Sequence, residues 1–371
     1  MNSRNVTMGS VVLFLFCWVV SLGVNAKSIP MHSIWVKDNA GNVVKDPQTS
    51  GLVYWREQFL SIGDGSADIP MRMQLLPIDP KSAVMSSETI ELTQSPAVKK
   101  GCFSGYLDYG PDLEGLAVDP DDDNVFVIVT EDTYEFKLQG ECLKRYGRSG
   151  STPHPTLLLR AELVTPKQAM ITHIKPVSFP LEYRVGNFPN DGIEGLVFGA
   201  NRTLYLGLEK DVANQARIFQ LDIDEHFWQR DGMAVVQDSQ LQLPIHHDNK
   251  VHPINALAYY PVDAERGFLF AAARNDNRVW ILDTAKQVDT VIVDMTFLAE
   301  SLVQECPKWQ EMDNYSIEGM TFIGDQLYLI NDPWKVNYKK NALCEGMLPA
   351  YSDMAPLITS IKLDPSWVST P

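Results

Sequence analysis

The chain predicts an all-β fold, a β-propeller, and three observations carry that expectation. One short motif recurs five times, the copies stand about 60 residues apart, and no stretch sustains a helical period. The copies read Ser50-Gly51-Leu52-Val53, Glu114-Gly115-Leu116-Ala117, Glu194-Gly195-Leu196-Val197, Asn255-Ala256-Leu257-Ala258 and Glu318-Gly319-Met320-Thr321. Each is followed by turn-prone residues and a second apolar run: Phe59-Leu60-Ser61-Ile62, Val125-Phe126-Val127-Ile128-Val129, Leu204-Tyr205-Leu206, Phe268-Leu269-Phe270 and Leu327-Tyr328-Leu329-Ile330.

The openings at 50, 114, 194, 255 and 318 give intervals of 64, 80, 61 and 63 residues. Such a period fits a four-stranded sheet with its loops, and radial repetition of that sheet is a propeller. Five blades account for the chain, with six as the alternative. The long second interval then reads as one blade with an insertion around Gly147 to Pro155. Residues 30–49 supply an extra strand, Ser33-Ile34-Trp35-Val36, that closes the ring against the last blade.

Within each blade the first apolar run is the innermost strand, because Gly51, Gly115, Gly195, Ala256 and Gly319 permit close approach around a narrow axis. The residue before each of them sits at one mouth of the channel. The next strand is antiparallel, so its far end returns to that face. There the sequence places Asp64, Glu131 and Asp132, Glu209 and Asp211, Asn275 and Asp276, and Asn331 and Asp332.

The first 26 residues read as a secretory signal: Arg4, an apolar run from Val11 to Val20, then Val24-Asn25-Ala26 before the cut. That run is short for a membrane span, so residues 27–371 are expected as a single propeller domain, secreted or periplasmic, monomeric and without stable membrane insertion. Cys17 leaves with the signal. Cys102, Cys142, Cys306 and Cys344 remain, an even count that suggests two disulfides in an oxidising compartment. Proximity favours Cys102 with Cys142 and Cys306 with Cys344, each contributing roughly 3 to 4 kcal/mol.

Of 31 basic residues, the loss of Arg4 leaves 30 against 47 acidic ones, a formal charge of -17. Such a surface disfavours nucleic acid and favours divalent cations. The run Asp119-Pro120-Asp121-Asp122-Asp123-Asn124 falls where a hairpin turn is expected and reads as a turn rather than a calcium loop.

Ser50, Glu114, Glu194, Asn255 and Glu318 would converge on the axis, three of them carboxylates. Converging like charges without compensation raise pKa values or cost several kcal/mol, and a cation removes that cost. Five oxygen-bearing side chains with water suit calcium, and no His or Cys in the ring favours zinc or copper. A calcium there either pins the blades together or also serves chemistry.

The order Ser-Gly-Leu, Glu-Gly-Leu, Glu-Gly-Leu, a smaller polar residue and Ile317-Glu318-Gly319-Met320 resembles the phytase-like propeller family, also called esterase-like activity of phytase. It is similar too to SdiA-regulated-like propellers and, more distantly, to the calcium-activated nucleotidases. The resemblance covers most of residues 50–335 and implies a five- or six-bladed calcium-binding propeller acting on phosphate esters. The fourth copy departs from the family pattern, with Asn255 where a serine is usual and Ala273-Arg274 where an acidic-basic pair is usual.

Phosphate-ester hydrolysis on this face would use a cation, basic groups for the phosphate and a general base. Lys210, Arg274 and Lys335 are the candidate substrate-binding residues, with Arg278 nearby, and Glu131, Glu209 and Asp332 the candidate bases. His246, His247 and His252 form a cluster before Asn255, and Trp334 offers a stacking surface. Asn201-Arg202-Thr203 and Asn314-Tyr315-Ser316 are glycosylation sequons if the source is eukaryotic. No Gly-x-Ser-x-Gly elbow or Walker loop is present. Two functions follow: a calcium-dependent phosphoric-ester hydrolase taking a small-molecule substrate, or a non-catalytic propeller that binds a ligand or protein and uses calcium structurally. In the second, loops 147–155 and 244–254 form the binding face.

Overall fold

The computed structural model describes residues 28–131, 133, 135–152, 154–185, 192–245 and 250–369. The expected signal peptide, Asp132, His246 and His247 lie outside the described residues.

Alternating apolar runs broken by polar turns fold into antiparallel units of four strands. Strand β1 (Ile29–Trp35) precedes the first unit, β2 (Thr49–Trp55), β3 (Gln58–Gly63), β4 (Gln74–Ile78) and β5 (Ile90–Gln94). The second is β6 (Leu113–Asp119), β7 (Asp122–Thr130), β8 (Leu157–Thr165) and β9 (Gln168–Ser178). The third is β10 (Ile193–Phe198), β11 (Thr203–Leu208) and β12 (Arg217–Asp222). After β13 (Ala234–Val235), which pairs with β9, it ends in β14 (Gln237–Asp238). The fourth is β15 (Ile254–Pro261), β16 (Gly267–Ala273), β17 (Arg278–Asp283) and β18 (Val291–Glu300), with β19 (Trp309–Glu311) paired on β18. The fifth, β20 (Ile317–Ile323), β21 (Gln326–Asn331) and β22 (Leu357–Lys362), takes β1 as its outer strand.

The innermost strands β2, β6, β10, β15 and β20 pack on one another in sequence, and β20 packs on β2. This is a β-propeller, and its core is divided accordingly. Apolar clusters lie between consecutive units: Leu60 and Ile62 meet Leu116 and Phe126, for example, while Leu52 and Phe59 meet Ile330 and Ile358 across the closure. Small residues on the inner strands are required by this closeness. A Cβ on Gly115 would stand 2.7 Å from the Leu196 Cβ, and one on Gly319 would stand 2.7 Å from the Gly51 carbonyl carbon.

Closure follows the sequence reading, since β1 pairs antiparallel with β22 through Ser33, Ile34 and Trp35. It also does something the pattern did not announce. β1 runs parallel to β18, and β5 runs parallel to β9, so the outer edges of units four and five, and of one and two, join into continuous sheets.

Short α1 (Ser104–Tyr109) precedes β6, and α2 (Gly140–Tyr146) lies in the long β7–β8 connection, where the sequence placed an insertion. The Cys102–Cys142 disulfide ties that connection to the approach to β6. Cys306–Cys344 ties the approach to β20 to the β21–β22 connection, which carries α3 (Leu348–Ser352). The acidic run at 119–124 is a hairpin turn, in which Arg202 pairs with Asp119 and Asp121, and Arg56 with Asp123. No helix among the described residues is long and apolar enough to cross a membrane.

Candidate functional site

Every inner strand breaks register at the motif. The ladder skips Glu114, Glu194, Asn255 and Glu318, and in the first unit it breaks just after Ser50. A bulge re-aims its side chain out of the pleat, and repetition at one register aims all five residues at the mouth. All five are buried, from 0% exposure at Asn255 to 7% at Glu114.

A second ring is built as regularly. The residue just past each second strand donates its main-chain N–H to the carbonyl two residues before the ring position: Asp64 to Gln48, Glu131 to Asp112, Glu209 to Gly192, Arg274 to Pro253 and Asp332 to Ser316, all at 2.9 to 3.2 Å. These five positions are therefore equivalent. Four carry carboxylates and the fourth unit carries arginine.

That arginine, expected as a substrate-binding group, is engaged inside the protein. Its guanidinium is only 19% exposed, and it donates Nη1 to Glu318 Oε1 at 2.5 Å and Nη2 to Glu209 Oε1 at 2.8 Å. Asn255 Nδ2 donates to the same Glu209 oxygen at 2.8 Å, and the Trp334 ring lies 5.8 Å from the guanidinium carbon. The acid that the sequence finds missing beside Arg274 is thus supplied by the neighbouring third and fifth units.

In the second unit neutral groups donate to the carboxylates. Ser50 Oγ donates to Glu114 Oε2 at 2.8 Å, the Gly192 N–H to Glu131 Oε1 at 3.1 Å, and the Gly65 N–H to Asp112 Oδ1 at 2.6 Å. Asp112, Glu114 and Glu131 bring one oxygen each within 4.8 Å of the others. Burial pushes the Glu114 carboxyl well up, and the charges of Glu194, Asp112, Glu131 and Asp64 push it further. Burial likewise raises Glu194, Glu318 and Asp332, and at Glu318 it outweighs the pull of Arg274. Asp64 is pushed up to about 7 by burial and then by the charge of Asp112. Three acceptors at this mouth are buried without a hydrogen-bond partner: Asn255 Oδ1, Glu318 Oε2 and Asp332 Oδ1.

The other residues singled out from the sequence are distributed more widely. Lys335 donates to the Ser66 carbonyl at 2.6 Å and pairs with Asp46 at 3.1 Å, so it clasps the rim of the first unit. Lys210 follows Glu209 at the mouth, half-buried. Asp211 is buried, pairs with Arg217 at 2.6 Å and holds the 211–215 turn. Asn331 accepts from the Leu357 N–H and, through its carbonyl, from Thr49, which joins the fifth unit to the first. His252 pairs with Asp276 at 2.6 Å, Asn275 is exposed, and Arg278 pairs with Asp294. Asp112 is the site residue that the sequence reading passed over.

Fold and mouth together define the class: a β-propeller whose one face gathers seven carboxylates and a single arginine on two concentric rings, with Asp112 as an eighth acid beside them. The family model for phytase-like proteins, described as esterase-like activity of phytase, matches residues 48–333, and the chain belongs to that family. No curated protein matches it. Solved structures with a similar fold include the Malassezia sympodialis allergen Mala s 1, at 10% identity over 89% of this chain and 96% of that one, TM-score 0.45. An exo-β-1,3-galactanase from Phanerochaete chrysosporium stands at 12% over 92% and 66%, TM-score 0.43. A luciferin-regenerating enzyme stands at 11% over 87% and 80%, TM-score 0.40. These likenesses carry no argument about the chemistry of the mouth.

Two outcomes follow from the geometry. Arg274→Met leaves two buried carboxylates uncompensated, and should lower the unfolding free energy measured by denaturant in chelator by about 3–5 kcal/mol. An unchanged midpoint would show that the pairs contribute nothing. The raised carboxyls keep protons in the folded state that the unfolded chain has already lost, so stability must fall as pH rises through that window. For Asp64 the window runs from 3.8 to about 7. Thermal melts in chelator should therefore shift downward between about pH 5 and pH 7. A rise over that range would contradict the assignment.

Proposed function

We propose that the chain is an exported phytase-like propeller, one blade to each four-stranded unit, that binds calcium at its acidic mouth and hydrolyses phosphoric esters there. The observation that carries this reading is the set of buried acceptors without donors, on a mouth with eight carboxylates and one arginine. The donor set consists of hard oxygens, which fits calcium. Ser50, Glu114, Glu194, Asn255 and Glu318, with Asp112 and Glu131, are the residues available to hold it. When bound, calcium would supply charge neutralisation for a phosphoryl group and acidify a coordinated water.

The protein's own contribution is positional. Asp332 is suited to accept a proton, because its Oδ1 has no donor and its raised pKa makes the ionised form a stronger base. Glu209 is held by Arg274 and Asn255, which fixes its carboxylate in one orientation. Glu131 faces the second unit's cluster. Export is supported by the sequence of residues 1–26 and by the two disulfides.

One observation favours the second reading, a binding propeller with structural calcium. Two of the three basic groups expected to hold phosphate, Arg274 and Lys335, are already engaged within the protein. Phosphate release from phytate, nucleotides and p-nitrophenyl phosphate, with and without calcium and from about pH 5 to 9, separates the two. The hydrolase reading expects calcium-dependent turnover, with kcat in Asp332→Asn falling by about 10²-fold or more. No turnover under any of these conditions leaves the binding reading.

A further inference from the structure

Charge is unevenly shared around the mouth. The second unit places three carboxylates there, Asp112, Glu114 and Glu131, whereas the fourth places Asn255 and Arg274 and no acid in either ring. The third unit stands between them in the ring.

The acidic pole is assembled by the local backbone. Asp112 stands just before β6 and Glu114 is that strand's bulged residue, and Glu131 is bonded through its N–H to the Asp112 carbonyl at 3.0 Å. The Tyr106 hydroxyl accepts from the Asp112 N–H at 3.2 Å and donates to the Glu131 carbonyl at 3.3 Å, which fixes both main chains. Among the described residues, these three acids are the one group of three or more His, Cys, Asp or Glu whose ligand atoms all lie within 4.8 Å of one another. A calcium ion sits about 2.4 Å from each oxygen, so opposite ligands are about 4.8 Å apart and one ion can touch all three. The Gly65 N–H, the Ser50 hydroxyl and the Gly192 N–H orient these carboxylates.

A separate observation points to what the ion brings with it. Glu318 and Asp332 are 3% and 9% exposed, yet Oε2 of the first and Oδ1 of the second have no donor. Asp332 lies within the field of Glu318 and of Asp64, which in turn borders Asp112. Calcium takes 6 to 8 oxygens, so three carboxylates leave several positions to water. Waters on a cation are strong donors directed outward, and donors are what these buried acceptors lack.

The geometry points to one hydrated divalent cation, calcium by its donor set, seated off the axis on Asp112, Glu114 and Glu131, with Arg274 as the fixed cation of the fourth unit. Glu194, Asn255 and Glu318 are then partners of Arg274 or of the ion's waters rather than direct ligands. This placement rests on the proposal that the mouth binds calcium, and it adds the site, the stoichiometry and a ligand, Asp112.

Calorimetric titration of the chelator-treated full chain with calcium chloride, paired with thermal melts, tests it. The expected result is one calcium per chain, with Asp112→Asn weakening binding by at least about tenfold more than Glu318→Gln does. In chelator, Asp112→Asn should melt no lower than the parent, because a like charge has gone, and that melt shows the variant is folded. Equal or greater loss in Glu318→Gln, with Asp112→Asn binding normally, would place the ion on the axis and overturn the inference while calcium binding stands. Two equivalents of calcium would overturn the single off-axis site. No binding to the parent chain would overturn both proposals.

Discussion

Carboxylates crowded into a buried ring are the constraint on which the rest of this structure depends. A propeller needs narrow inner strands to close, and closure on glycine and alanine brings whatever precedes them within reach of one axis. Here the neighbours are acids. Burial raises their pKa values, mutual repulsion raises them further, and the protein answers with one internal cation, Arg274, held by Glu209 and Glu318. One arginine does not balance eight carboxylates, and a bound cation is the proposed answer to that excess. The propeller frame keeps the charges in place against that repulsion, through apolar clusters between consecutive units and the pairing of β1 with β22.

The fold was largely legible because a propeller writes itself as a period. Each motif copy marks the start of an inner strand, each second run marks its hairpin partner, and Ser33-Ile34-Trp35 was readable as the strand that closes the ring. Cysteine proximity gave both disulfides. The parallel pairings of β1 with β18 and of β5 with β9 were not legible. They join the outer edges of consecutive units, and outer strands carry no motif that a repeat would expose.

The site divides in the same way. Most positions inside the repeat were found: the inner ring lies at one register, and Asp64, Glu131, Glu209 and Asp332 share the register of the outer ring, whose fourth member is Arg274 where the reading had Asn275 and Asp276. What a repeat hides is the exception. Asp112 stands where the other copies have Gln48, Gly192, Pro253 and Ser316, so aligning the copies passes over it. The available signal was Asp112-x-Glu114 at the head of an inner strand, two acids where every other copy has at most one. Arg274 was named as a substrate-binding residue, but its acids were not foreseen, because they come from other units and only the closed ring brings them to it. Lys335 was likewise read as free for substrate, whereas it clasps the Ser66 carbonyl and Asp46.

The central claim is that this mouth is balanced by two cations of different kinds, one covalently part of the chain and one bound against the second unit. Anomalous difference density from crystals grown in calcium, or in manganese as a stronger scatterer, locates the bound ion directly. A single peak among Asp112, Glu114 and Glu131, with the Arg274 pairs intact beside it, is the result predicted. A peak on the propeller axis, or none at saturating metal, would contradict it.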